Sequence, residues 1–112
     1  MILSKNDNTS IVTNEKMSVG EFIKNYKEAY ERIKSDHIII NLFSINKLSV
    51  DDLLEFLPLS NAHRERNKSF VIVASDISYD DLPDELEVVP TLQEAHDIIE
   101  MEEIERDLDF DA

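Results

Sequence analysis

The chain contains no cysteine, which excludes disulfides, thiol nucleophiles, thiolate zinc sites and iron–sulfur clusters together. It has one glycine, Gly20, so no glycine-rich phosphate loop can be built. No apolar run reaches the length of a membrane span, and polar residues follow Met1-Ile2-Leu3 from Lys5 onward, with no leader-like stretch. Bases are also scarce: 11 Lys and Arg stand against 25 Asp and Glu, a formal charge of −14 over 112 residues. A field of that sign repels phosphate backbones and anionic lipid, so neither nucleic acid nor a membrane surface is an expected partner. What remains is 42% hydrophobic, too apolar for a disordered chain and long enough for one domain with its own core. A soluble, cytoplasmic protein is expected.

The acid is uneven. Residues 80–112 hold 14 carboxylates and one base, Arg106, whereas the basic residues gather in 16–32 and 64–68. Such a run is either a solvated helix face or a surface for a basic partner.

Periodicity orders the elements. Ile2-Leu3 and Ser10–Thr13 flank the polar Lys5–Asn8 and predict a β-hairpin with a loop longer than two residues. Ser18, with Glu21 three residues on, opens a helix whose apolar side is Val19, Phe22, Ile23, Tyr26, Tyr30 and Ile33. His37–Leu42 is short, β-branched and apolar on both faces, as a central strand requires. Ser49 is the next N-cap, with Asp51 and Asp52 in the first turn and Val50, Leu53, Leu54 and Leu57 as its apolar side; Pro58 should kink or divide that helix. Ser69–Ala74 is a second buried strand, residues 76–85 a loop with one helical turn at 79–82, and Leu86–Val89 a short edge strand. Thr91 and Glu94 form the start of the last helix, its inner face Leu92, Ala95, Ile98, Ile99 and Glu102, with Met101 and Ile104 beside it. The helix is expected to fray after Arg106, leaving residues 107–112 as a mobile acidic tail. The order β-β-α-β-α-β-β-α predicts a single α/β domain over residues 1–106, a mixed, mostly parallel sheet of four or five strands with three or four helices.

Residues 37–57 resemble the centre of a STAS domain, the fold of bacterial anti-sigma factor antagonists. The likeness rests on a buried strand ending Asn41-Leu42, a short loop into Ser49-Val50-Asp51-Asp52-Leu53, and the basic stretch Arg64–Lys68 running into Phe70–Ala74. Ser69–Ala74 and Val88–Leu108 are similar to a group of short bacterial STAS-like proteins. Some of these carry the label ribonuclease Z, an enzyme that needs a His-x-His-x-Asp-His zinc cluster; this chain has three separated histidines. The resemblance implies a non-catalytic regulatory module that docks a protein partner, such as an anti-sigma factor or a kinase-like regulator. The family's phosphoacceptor motif, Asp-Ser-Ser-Gly or similar, corresponds here to Ser49-Val50-Asp51-Asp52, without Ser-Gly. Ser49 falls at or beside the acceptor position. It is a displaced acceptor, a plain N-cap, or part of a relic that signals without phosphorylation.

Other constellations carry less. His37, His63 and His96 share no metal-ligand spacing and read as ordinary surface or half-buried residues. Asp76, Asp80, Asp81 and Asp84 lack the glycine and ligand pattern of a calcium loop. A receiver domain needs an Asp where the central strand here runs out in Asn41-Leu42-Phe43-Ser44. No serine-hydrolase elbow is present, and the many carboxylates give acid–base chemistry no specificity. No cofactor, metal or catalytic residue is expected. The expected partner site is Ser44, Asn46, Lys47, Ser49, Asp51 and Asp52, in the loop and helix start at the carboxyl end of a central strand, where Phe43 and Leu48 would anchor an interface if exposed. The alternative is an assembly subunit that binds a basic partner through its acidic last helix.

Overall fold

A computed structural model describes residues 1–45 and 47–111, with side chains up to residue 108. The sheet has five strands in sequential order: β1 (Ile2–Asn6), β2 (Thr9–Thr13), β3 (His37–Asn41), β4 (Phe70–Val73) and β5 (Glu87–Val89). β1 pairs antiparallel with β2; every other pairing is parallel. The helices are α1 (Val19–Ile33), α2 (Val50–Leu54), α3 (Leu57–Arg64) and α4 (Leu92–Asp111), with a single 3₁₀ turn at Tyr79–Asp81. The α/β class and the mostly parallel sheet are as the periodicity requires.

Local chemistry sets the boundaries. The Ser18 hydroxyl accepts from the Glu21 N–H at 3.2 Å, and that of Thr91 from the Glu94 N–H at 3.1 Å, each satisfying a donor that a helix start leaves without a partner. Pro58 divides the second helical segment and sits in the first turn of α3, where its missing N–H is no loss. The β1–β2 loop is tighter than expected. Asn6 pairs with Thr9, so Asp7 and Asn8 alone turn the chain, and Asp7 takes a left-handed φ of 55° that a short polar side chain tolerates without glycine. Helical backbone continues past Arg106 to Asp111.

The sheet separates two cores. Val12, Ile38, Ile40, Phe70 and Ile72 face Phe22, Tyr26, Leu53 and Phe56 from α1 to α3, together with Leu86 from the β4–β5 connection. Ile39, Val71 and Val73 face Ala95 and Ile99 of α4. The connections from β2 to β5 thus pass over one face, and α4 covers the other alone. Both faces of β3 and β4 are buried, which is why those strands read as unbroken apolar runs.

Candidate functional site

The carboxyl edge of the parallel strands carries the expected partner site. β3 ends at Asn41, whose Oδ1 accepts the Phe43 N–H at 3.1 Å, while the Leu42 N–H donates to the Val73 carbonyl at 2.9 Å. Leu42 is therefore drawn inward and its neighbour outward. Phe43 is 62% exposed, the most exposed aromatic side chain among the described residues. Ile45 closes a turn on Leu42 with an N–H···O bond of 3.0 Å, and Ile45 and Leu48 pack against the α1–α3 core. Of the two anchors expected from sequence, Phe43 is thus available and Leu48 is half-buried.

Ser49 heads α2 with a complete capping box. Its Oγ accepts the Asp52 N–H at 3.0 Å, and Asp52 Oδ2 accepts the Ser49 N–H at 3.1 Å. The fold therefore brings Ser49 and Asp52 together, with Asp51 exposed beside them. The Ser49 side chain is at the surface and its hydroxyl proton is not used by the cap. A phosphoryl group there would stand beside two carboxylates that already face the helix start. Ser44 and Lys47 are exposed on the same loop. Asn46, the remaining expected site residue, lies outside the described residues.

Across the edge, α4 begins where β5 ends. Asn41, Phe43, Val73, Thr91 and Leu92 line a shallow depression of about 230 Å³. Leu92 is exposed here and does not belong to the inner face of α4 that the spacing suggested. This volume lies below the range typical of small-molecule pockets. The strand order never reverses, so the sheet has no central switch point at which connections part to opposite faces.

The opposite edge holds a polar network not anticipated from the sequence. Glu102 of α4 accepts Arg64 Nη1 at 3.1–3.2 Å through both oxygens and the Ser69 hydroxyl at 2.6 Å; Arg64 Nη2 also donates to the Phe70 carbonyl at 3.0 Å. Arg106 Nη2 donates to Ser69 Oγ at 3.1 Å. His37 is buried at this edge, not half-exposed. Its Nδ1 accepts the Ser69 N–H at 2.9 Å, which leaves the proton on Nε2, 3.4 Å from Glu103. Burial lowers the His37 pKa, against the opposing pull of Glu103. His63 is likewise buried, held between the Tyr30 hydroxyl at Nδ1 (2.7 Å) and the Asp36 carbonyl at Nε2 (2.8 Å). The sequence did carry a signal for it: Ser60 and His63 stand three apart on the inner face of α3.

Among the described residues no group of three or more His, Asp or Glu side chains is placed to hold a metal ion, and no helix is long and apolar enough to cross a membrane. Asp76, Asp80 and Asp81 lie in the loop that Tyr79 ties down through its hydroxyl to the Ala74 carbonyl at 2.9 Å. Compared with models of protein families and with curated proteins, the chain matches none.

Proposed function

We propose that this protein is a non-catalytic, cytoplasmic regulatory module of the STAS type, which docks a protein partner through the β3–α2 loop and the start of α2, in the manner of an anti-sigma factor antagonist. The observation that carries the reading is Phe43, a large aromatic side chain held in water at the carboxyl edge of the parallel strands. It stands on the loop that presents Ser44, Lys47, Ser49 and the Asp51–Asp52 pair. An exposed aromatic within a polar rim is what an interface anchor requires, and burying a Phe side chain is worth about 1.5–3 kcal/mol. The carboxylates then set partner choice and encounter rate, favouring a basic rim on the partner. Nucleic acid and lipid surfaces are disfavoured by the net charge of −14.

The test is affinity capture of the tagged protein from its own host at moderate salt, with partners and phosphosites read by mass spectrometry, beside Phe43→Ala, Asp51→Ala and Ser49→Ala. A kinase-like or sigma-regulating partner held by the wild type is expected, and Phe43→Ala should weaken its purified complex about tenfold. Asp51→Ala should weaken it less, and Ser49→Ala should remove any phosphate found there. Partners retained equally by the Phe43 and Asp51 variants would overturn the site.

A further inference from the structure

The second half of α4 presents its apolar residues away from the sheet. Ala95 and Ile99 point into the core, but from Met101 onward the pattern rotates outward: Met101 is 60% exposed, Ile104 55% and Leu108 65%. The residues turned inward there are polar, namely Glu102, Glu103 and Arg106, held by Arg64, His37 and Ser69. Geometry explains the change. Twenty residues at about 1.5 Å each make a helix of roughly 30 Å, whereas a four-residue strand such as β4 spans roughly 13 Å. Past Ile99, α4 has reached the amino edge of the sheet, where strand ends and the α3–β4 turn offer polar atoms instead of side-chain faces.

Met101, Ile104 and Leu108 are spaced three and four apart, the a-d-a seam of a coiled coil, on a side of the helix that none of the described residues covers. The flanking g and e positions are Glu100, Glu105 and Asp107, all exposed and all acidic. A second copy of this chain would set carboxylate against carboxylate along both flanks. A partner with Lys or Arg at its own e and g positions would find opposite charge at each.

We infer that this seam is a second docking surface, distinct from the β3–α2 loop, and that its occupant is a basic amphipathic helix of another protein. The occupant's apolar stripe covers Met101, Ile104 and Leu108, and its basic flanks meet Glu100, Glu105 and Asp107. The seam lies at the amino edge of the sheet, so both surfaces can be occupied at once.

The test uses the full chain and a labelled synthetic peptide of about three heptads, Leu at a and d and Lys at e and g, read by fluorescence anisotropy at physiological salt. A second peptide of equal charge carries Ser in place of Leu. The wild type should bind the Leu peptide at least about tenfold more tightly than the Ser peptide. Met101→Ser/Ile104→Ser/Leu108→Ser should abolish that preference while keeping the wild-type circular dichroism and melting curve, because the three side chains are exposed. Phe43→Ser should leave it intact. Equal binding of the two peptides, or a triple variant that binds like the wild type, would overturn the proposal. So would a dimer of the wild type in sedimentation that the triple variant loses, since the seam would then belong to a second copy.

Discussion

His63 shows how one buried residue ties the helical layer to the sheet. Its Nε2–H donates to the Asp36 carbonyl, just before β3, so Nδ1 must accept the Tyr30 hydroxyl; α1, α3 and the β3 entry meet on one neutral imidazole. Protonation would turn the Tyr30 hydroxyl from donor to acceptor at Nδ1 and place a charge in the core, and burial lowers the pKa to about 4. The unfolded chain binds that proton near pH 6.5, so between about 6.5 and 4 it binds more protons than the folded chain. Stability contributed by neutral His63 is therefore present above pH 6.5 and lost as pH falls toward 4, on the order of 3 kcal/mol in full. NMR titration should place the His63 ring midpoint well below that of an exposed histidine. A midpoint at 6.5 would mean that the ring is hydrated and the tether loose. Ser49 illustrates the opposite case: it spends its oxygen on a local cap at the surface, and Ser49→Ala should cost about 1 kcal/mol in urea melts whatever its signalling role.

At the scale of elements, α4 depends on its ion-paired half as much as on its apolar half. Glu102 ties it to Arg64 of α3 and to Ser69, which leads into β4, through partly buried bonds. Removing one partner of such a pair strands the other, so Glu102→Ala should destabilise the fold by about 2–3 kcal/mol, whereas Glu100→Ala, at an exposed position on the same helix, should stay within about 0.5 kcal/mol. Equal urea midpoints for the two variants would show that α4 is held by Ala95 and Ile99 alone. The same helix marks where sequence reading stops. Caps and periodicity were enough to order the strands and helices, because Ser18, Ser49, Pro58 and Thr91 act within a turn of their own position. The Ser49–Asp52 box was legible for that reason. The outward stripe at Met101 was not, since the three-four spacing is the same whether a stripe faces a sheet or water, and only the length of α4 against the strands decides. Phe43 and Leu48 could not be told apart for a similar reason: the loop's path over the edge is fixed by Asn41 and by the Leu42–Val73 bond, contacts between distant strands. The network joining residues 37, 64 and 69 to 102, 103 and 106 spans separations over which no local pattern acts.

For the whole molecule, two asymmetries combine. Connections from β2 to β5 pass over one face and leave a single helix on the other, and that helix lies in the segment with 14 carboxylates and one base. Acid is thus concentrated on the thinly covered side, where the lone base, Arg106, is already committed to Ser69. Self-repulsion at −14 opposes the compact state, and added salt screens it within a Debye length of about 8–10 Å at 0.1–0.15 M. The partly buried pairs around Glu102 are screened less than the exposed carboxylates. The expected outcome is a melting temperature that rises between about 10 mM and 300 mM sodium chloride, with most of the gain below about 100 mM, where the Debye length shortens most. A melting temperature that falls over the same range would mean that favourable pairs, chiefly those anchoring α4, outweigh the repulsion, and that the acidic face is balanced within the fold and does not stand open to a basic partner.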